Sequence, residues 1–124
     1  MADQDHLRYG MVELWRPRPE WYALPQNEKE HFVEGIRENL QNLDNLGIRL
    51  LSIWSTRGFT DWDGMAFFEA PDMEAVAAIS HGSESFDWYH HFEGNNIAGE
   101  FQSTEGWAEH VLKMGAHNIG PKRK

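Results

Sequence analysis

Residues 9–16 read Tyr-Gly-Met-Val-Glu-Leu-Trp-Arg, and the architecture turns on how this stretch alternates. Its alternation and strand-favouring side chains predict a first strand over Tyr9–Arg16. Pro17 and Pro19 end it, since proline brings no N–H to a ladder. Alternation allows two faces, one with Val12 and Leu14, the other with Met11, Glu13 and Trp15. The wholly aliphatic pair is expected beneath a helix layer, which turns Met11, Glu13 and Trp15 to the opposite side.

Working outward, Glu20–Gln26 reads as a loop, and Asn27 with Glu30 three residues on suggests an N-cap and capping box. Phe32, Val33, Ile36, Leu40, Leu43 and Leu46 recur at helical spacing, and Gly47 supplies the left-handed residue that stops the helix. Ile48–Ser55 is a second strand, Thr56–Asp63 a loop, and Gly64–Ala70 a third strand closed by Pro71. Asp72 caps a helix over Met73–Ser80, with Met73, Val76, Ala77 and Ile79 on its apolar face; His81-Gly82-Ser83 breaks it. Ser85 opens a further turn over Phe86–Glu93, stopped at Gly94, and Ile97–Gln102 is a fourth strand. A last helix starts at Thr104, carries Trp107, Val111 and Met114 on one face, and ends at Gly115, leaving a tail over 116–124.

The order is β-α-β-β-α-β plus a C-terminal helix, the split βαβ or ferredoxin-like arrangement in a single α+β domain over 1–124. It predicts a four-stranded antiparallel sheet of order 4-1-3-2 with both helices on one face. Under them are expected Val12, Leu14, Leu51, Ile53, Ala66, Phe68 and Ala70. The other face then carries Met11, Glu13, Trp15, Leu50, Ser52, Trp54, Met65, Phe67 and Glu69, too apolar to be left wet. A homodimer formed sheet to sheet is the simplest cover; the C-terminal helix or the tryptophan-bearing loops folding over it is the other.

Composition narrows the function classes. The chain has 124 residues, 40% of them hydrophobic, with 11 basic and 20 acidic side chains and a formal charge of −9. Such a charge repels phosphate backbones, so no nucleic-acid partner is expected. Cysteine is absent, which removes disulfides, thiolate nucleophiles and cysteine metal sites. No apolar run of about 18 residues and no signal-peptide layout over Met1–Gly10 occur, so a cytoplasmic protein without a membrane partner is expected. The histidines show no H-E-x-x-H helix, and neither a metal nor another cofactor is expected.

The element order, the strand Met11–Trp15, its exit through Trp15-Arg16-Pro17-Arg18-Pro19 and the aromatic sheet face together resemble the dimeric α+β barrel superfamily over Tyr9–Gln102. That group includes cofactor-free monooxygenases, muconolactone-isomerase-like enzymes, polyketide cyclases and haem-binding relatives. The resemblance implies a ligand cleft between the concave sheet face and the helices or loops, and a functional histidine or tyrosine near the second helix.

Three constellations carry candidate chemistry. Glu13, Glu69 and Glu100 sit on strands that neighbour one another in the 4-1-3-2 order. On one face among Trp15, Trp54 and Phe67, desolvation and mutual repulsion would raise their pKa values and make a general acid or base. The plainer reading pairs them with Arg16, Arg49 or Arg57, or leaves them at a dimer rim. His90-His91 follows Trp88 and Tyr89; His91 is the ring expected to turn inward and Tyr89 its hydrogen-bond partner, against a solvated helix end. Trp15, Trp54, Trp62 and Phe67, with Trp21, suit a planar or apolar ligand, or equally a core or an interface. The leading expectation is a homodimer binding a small organic, aromatic-type ligand; if it is an enzyme, Glu13, Glu69 and His91 are the expected catalytic groups of a cofactor-independent isomerase, cyclase or monooxygenase. Trp15, Trp54, Trp62, Phe67, Tyr89 and Glu100 would bind the ligand. The alternatives are a non-catalytic ligand- or haem-binding module and a plain dimerisation domain.

Overall fold

The computed structural model describes residues 8–85 and 87–114. The expected helix stop at Gly115, the tail over 116–124 and the Ser85 side-chain cap lie outside what is described. The elements run β1 (Tyr9–Pro17), α1 (Pro19–Ala23), α2 (Gln26–Asn45), β2 (Arg49–Ser55), β3 (Gly64–Ala70), α3 (Met73–Ser85), α4 (Trp88–His91), β4 (Phe92–Glu100) and α5 (Thr104–Lys113). They form an α+β fold with one open antiparallel sheet of order β2-β3-β1-β4, the expected order read from the other edge.

The long helix α2 ends where its sequence says it should. Gly47 adopts φ 83°, and the N–H groups of Gly47 and Ile48 donate to the Asp44 and Leu43 carbonyls at 3.0 Å each, a Schellman closure. Its start differs from expectation. Pro25 is the N-cap and its carbonyl accepts from the Glu28 and Lys29 N–H groups, so Asn27 lies inside the first turn and no capping box forms. At α3 the expected cap holds, with Asp72 Oδ1 accepting from the Ala75 N–H at 2.7 Å. The helix runs on through His81-Gly82-Ser83 to Ser85, and Asp87, in a left-handed conformation, precedes the single turn of α4. The loop expected over Glu20–Gln26 contains the short α1, begun by Pro19 at its first position.

The register of β1 decides what the helices cover. Glu13 stands opposite Ala66 of β3 and Asn96 of β4, and Met11 opposite Phe68 and Ala98. Directly paired residues share a face, so the buried Ala66, Phe68 and Ala70 draw Met11, Glu13 and Trp15 to the helix side. This corrects the expectation for β1: Val12 and Leu14, not the odd-numbered set, occupy the open face. A slip of one residue exchanges every side chain between faces, and the pairing with β3 fixes which set goes in. In β2 a register shift between Leu50 and Ser52 has a similar effect. Leu50 joins the core while Leu51 is half exposed, the reverse of the expected assignment, whereas Ile53 keeps the helix side and Trp54 the open side.

Two apolar clusters result. Met11, Leu43, Ile48, Ala66, Phe68, Ala70, Ala75, Val76 and Ile79 form one; Phe32, Trp88 and Phe92, flanked by Trp15, Trp21, Ile36 and Tyr89, form the other. Trp15 has glycine opposite it on both sides, Gly64 and Gly94, and a Cβ on Gly64 would overlap its indole ring. The two glycines thus leave a flat seat for a large ring on a central strand.

Among the described residues nothing covers the open face: Trp54 is 55% exposed, Ile97 58% and Phe101 68%, and α5 buries none of its residues. Among the described residues no helix is long and apolar enough to cross a membrane.

Candidate functional site

The two clusters do not close on each other. Between the concave sheet face and α2, α3 and α4 lies a cavity of about 280 Å³, lined by side chains from both. Its floor is Glu13, Trp15, Leu50, Ile53, Ala66 and Phe68; its roof is Val33, Ile36, Asn39, Leu40, Leu43, Ile79 and Ser83; Trp21, Trp88 and Phe92 close one end. The ring end is ordered by local sequence. Trp88 in α4 and Phe92 at the start of β4 are four residues apart and stack with centroids 4.4 Å apart. Trp15 stands perpendicular to both, at 6.2 Å from Trp88 and 5.6 Å from Phe92, and Trp21 is tilted on Phe92 at 4.9 Å.

Glu13 is the ionisable side chain of this wall. It is 9% exposed, its Oε2 is buried without a hydrogen-bond partner, and burial pushes its carboxyl from the usual 4.5 up to about 7. Desolvation alone is the cause, because a charged carboxylate has lost water without gaining a donor. Its cross-strand neighbour Asn96 donates through Nδ2 to the Tyr89 hydroxyl at 3.2 Å and to Ser80 Oγ at 3.3 Å, while Asn96 Oδ1 is buried without a partner. Unsatisfied buried acceptors are uncommon in proteins, and here two stand on paired residues of adjacent strands.

The three carboxylates do not converge. Glu69 stands opposite Gly10 and Arg49 on the open face. Glu100 is exposed at the far end of β4, opposite Tyr9. It is four residues beyond Asn96, or roughly 13 Å along the strand. The expected acid cluster is therefore reduced to Glu13, because that cluster assumed the wrong face for β1. Arg16, offered as its counter-ion, pairs instead with Glu93 at 2.6 Å and lies 4.6 Å over the Trp62 ring. Trp62 is thereby tied to the end of β1 and away from the ligand wall. Trp54 and Phe67 line a shallow depression of the open face with Leu51, Ser52 and Met65. Of the expected ligand residues, Trp15 alone lines the cavity, while the Tyr89 hydroxyl accepts from Asn96, the cross-strand neighbour of Glu13.

His91 turns inward but into a different space. Its ring meets Phe32 at 4.9 Å and Trp21 at 5.8 Å, and its buried Nδ1 has no hydrogen-bond partner. It opens on a groove with Leu24, Glu28, His31, Gly35 and Asp87, and Tyr89 is not its hydrogen-bond partner. Among the described residues no group of three or more histidine, aspartate or glutamate side chains is placed to hold a metal ion. Sequence reasoning missed Asn96, Asn39, Ser83 and Phe92; a polar residue opposite a mid-strand glutamate was the available signal for the first.

Fold and site together define a ferredoxin-like α+β protein with a partly closed chamber beneath its helices. Solved structures with this arrangement include chlorite dismutases of Candidatus Nitrospira defluvii. An arginine variant matches with a TM-score of 0.71 at 14% identity, over 83% of this chain and 45% of that one. The form in complex with imidazole gives 0.71 at 15% identity over 83% and 45%, and a tryptophan variant in complex with cyanide gives 0.66 at 18% over the same shares. The chain thus spans about half the length of these structures, and at such identities the likeness is one of fold. A search of curated proteins finds no match. Over residues 8–114 the sequence matches the family described as "Family of unknown function (DUF6616)", and the chain belongs to it.

The raised Glu13 pKa makes stability pH-dependent. The folded state holds the proton more tightly than the unfolded one, so stability is greatest below about pH 4.5 and is lost as pH rises through about 7. Glu13→Gln removes this dependence. Chemical denaturation should show the variant close to wild type near pH 4.5 and more stable than it by on the order of 2–3 kcal/mol near pH 8.

Proposed function

We propose that the chain is a homodimeric binding module that holds one small, mostly apolar organic molecule between its sheet and its helices. The observation that supports this most is the apolar, ring-walled cavity of about 280 Å³ whose described wall carries one ionisable group, Glu13. That volume is near the lower end for small-molecule sites, which run from about 300 Å³, and the pattern of greasy walls with a few polar contacts is theirs. The carboxyl of Glu13 would orient the ligand and the rings would hold its flat or aliphatic body. The acid–base enzyme reading is weaker, since Glu69, Glu100 and His91 do not face the cavity.

Haem binding is the second reading. It is supported by the fold likeness to the chlorite dismutases and by the haem-binding relatives of the superfamily that the sequence resembles. The residues do not fit that group. The described wall offers no histidine, cysteine, tyrosine or methionine as axial ligand, and His91 opens on the other groove.

The second copy is argued from the open face. Trp54, Ile97, Phe101 and Leu51 are exposed together with parts of Phe67 and Val12, a surface that a two-fold partner would bury by matching itself.

The ligand reading is checked with indole as probe, by saturation-transfer NMR. Wild type should give a saturable signal, and Ile53→Trp, which fills the cavity from a half-exposed position, should weaken it by about tenfold or more. Binding that is indifferent to Ile53→Trp would contradict it. A haem titration that yields a Soret band, lost in His91→Ala, would replace it with the second reading. Light scattering checks the dimer: wild type should show twice the mass of the chain, and Trp54→Glu combined with Ile97→Glu should show the mass of one.

A further inference from the structure

The chemistry of the cavity's occupant can be narrowed, given the reading of that cavity as a ligand site, on which the narrowing rests. Its described wall presents one carboxyl, that of Glu13, with Asn39 and Ser83 as the neutral polar side chains beside it, and Asn96 stands next to Glu13 in β4 without lining the cavity. Glu13 Oε2 and Asn96 Oδ1, on paired residues of β1 and β4, are both buried without a hydrogen-bond partner. Its described wall has no lysine, arginine or histidine to supply the missing donors or to balance a carboxylate. The rest of the chain adds to the same sign, with a formal charge of −9.

At the adjoining end stand four aromatic rings, Trp15, Trp21, Trp88 and Phe92. The faces of such rings carry negative potential and attract an organic cation, most strongly tryptophan and most of all where water is excluded. An anion would meet the carboxyl and the rings with the wrong sign. A neutral hydrocarbon would fill the space but leave the Glu13 acceptor unpaired. An ammonium group supplies the N–H donors and the positive charge at once.

We propose that the occupant is a small amine in its protonated form, with its apolar body against the rings and its ammonium group at Glu13. The cavity volume equals about nine waters at the ~30 Å³ each occupies in the liquid, so the ligand has on the order of ten non-hydrogen atoms.

The pairing fixes a pH dependence. Burial alone holds the Glu13 carboxyl at about 7, and the cation selects its ionised form, so binding releases a proton to solvent near neutrality. The side chains beside Glu13 do not titrate with it. Ala66 stands opposite it on β3 and Asn96 on β4, and Asn39 of α2 and Ser83 of α3 line the same cavity. From α4, Trp88 lines the wall and the Tyr89 hydroxyl is held by Asn96. Affinity for an amine therefore rises with pH through about 7 and falls again only when the amine loses its own proton.

The test compares benzylamine with ethylbenzene, its neutral isostere, on the full chain by calorimetry and saturation-transfer NMR. Near pH 8 benzylamine should bind about tenfold or more tightly than ethylbenzene, and that advantage should shrink by about tenfold near pH 5.5. Glu13→Gln should erase the difference between the two probes. Ethylbenzene binding as well as benzylamine near pH 8, or an advantage that survives in Glu13→Gln, would overturn the amine and leave the cavity as a site for neutral ligands. If wild type takes neither probe at millimolar concentration, the cavity reading falls and the amine with it. The pH comparison uses the unaltered chain, so a folding defect in the variant leaves the test intact.

Discussion

The pairing of Glu13 with Ala66 on one side and Asn96 on the other is the constraint on which the rest of the molecule depends. β1 is a central strand, hydrogen-bonded along both edges, so its parity is held twice. That parity sends Met11 into one apolar cluster, brings Trp15 against the other, and places a carboxyl in the gap between them. The small Ala66 opposite Glu13 leaves room where a larger residue would fill it. With the other parity the carboxyl would face the open side and the cavity would lose its polar corner.

A buried carboxyl without a donor is a destabilising feature at neutral pH, and packing does not require it here. The protein tolerates it through protonation, which places the group near the midpoint of its titration at physiological pH. A group so poised answers to small changes in its surroundings, including an arriving charge. The likeness to the chlorite dismutases extends to about half of those chains and is one of fold alone.

Much of the architecture was legible in the sequence. The stripe from Phe32 to Leu43, the stop at Gly47, the alternation of Gly64–Ala70 and the cap at Asp72 each have one physical reading, and the structure follows them. The site was less legible, because β1 offers two plausible faces and a glutamate is ordinarily turned to water. Local pattern cannot choose between them; the register with β3 does, and register is a long-range property. The shift at Leu50–Ser52 is likewise invisible in a run of strand-forming residues. β4 was expected to begin at Ile97, since Gly94, Asn95 and Asn96 favour turns, yet pairing with β1 carries the strand back to Phe92. That extension is what brings Asn96 beside Glu13.

The most direct measurement is an NMR titration of the Glu13 side-chain carboxyl carbon in the ligand-free protein. A midpoint near 7, well above the usual carboxyl value of 4.5, is the outcome expected for a carboxyl beneath the helices with no donor. A midpoint near 4.5 would mean that Glu13 sees water, that β1 presents its other face, and that the chamber does not exist.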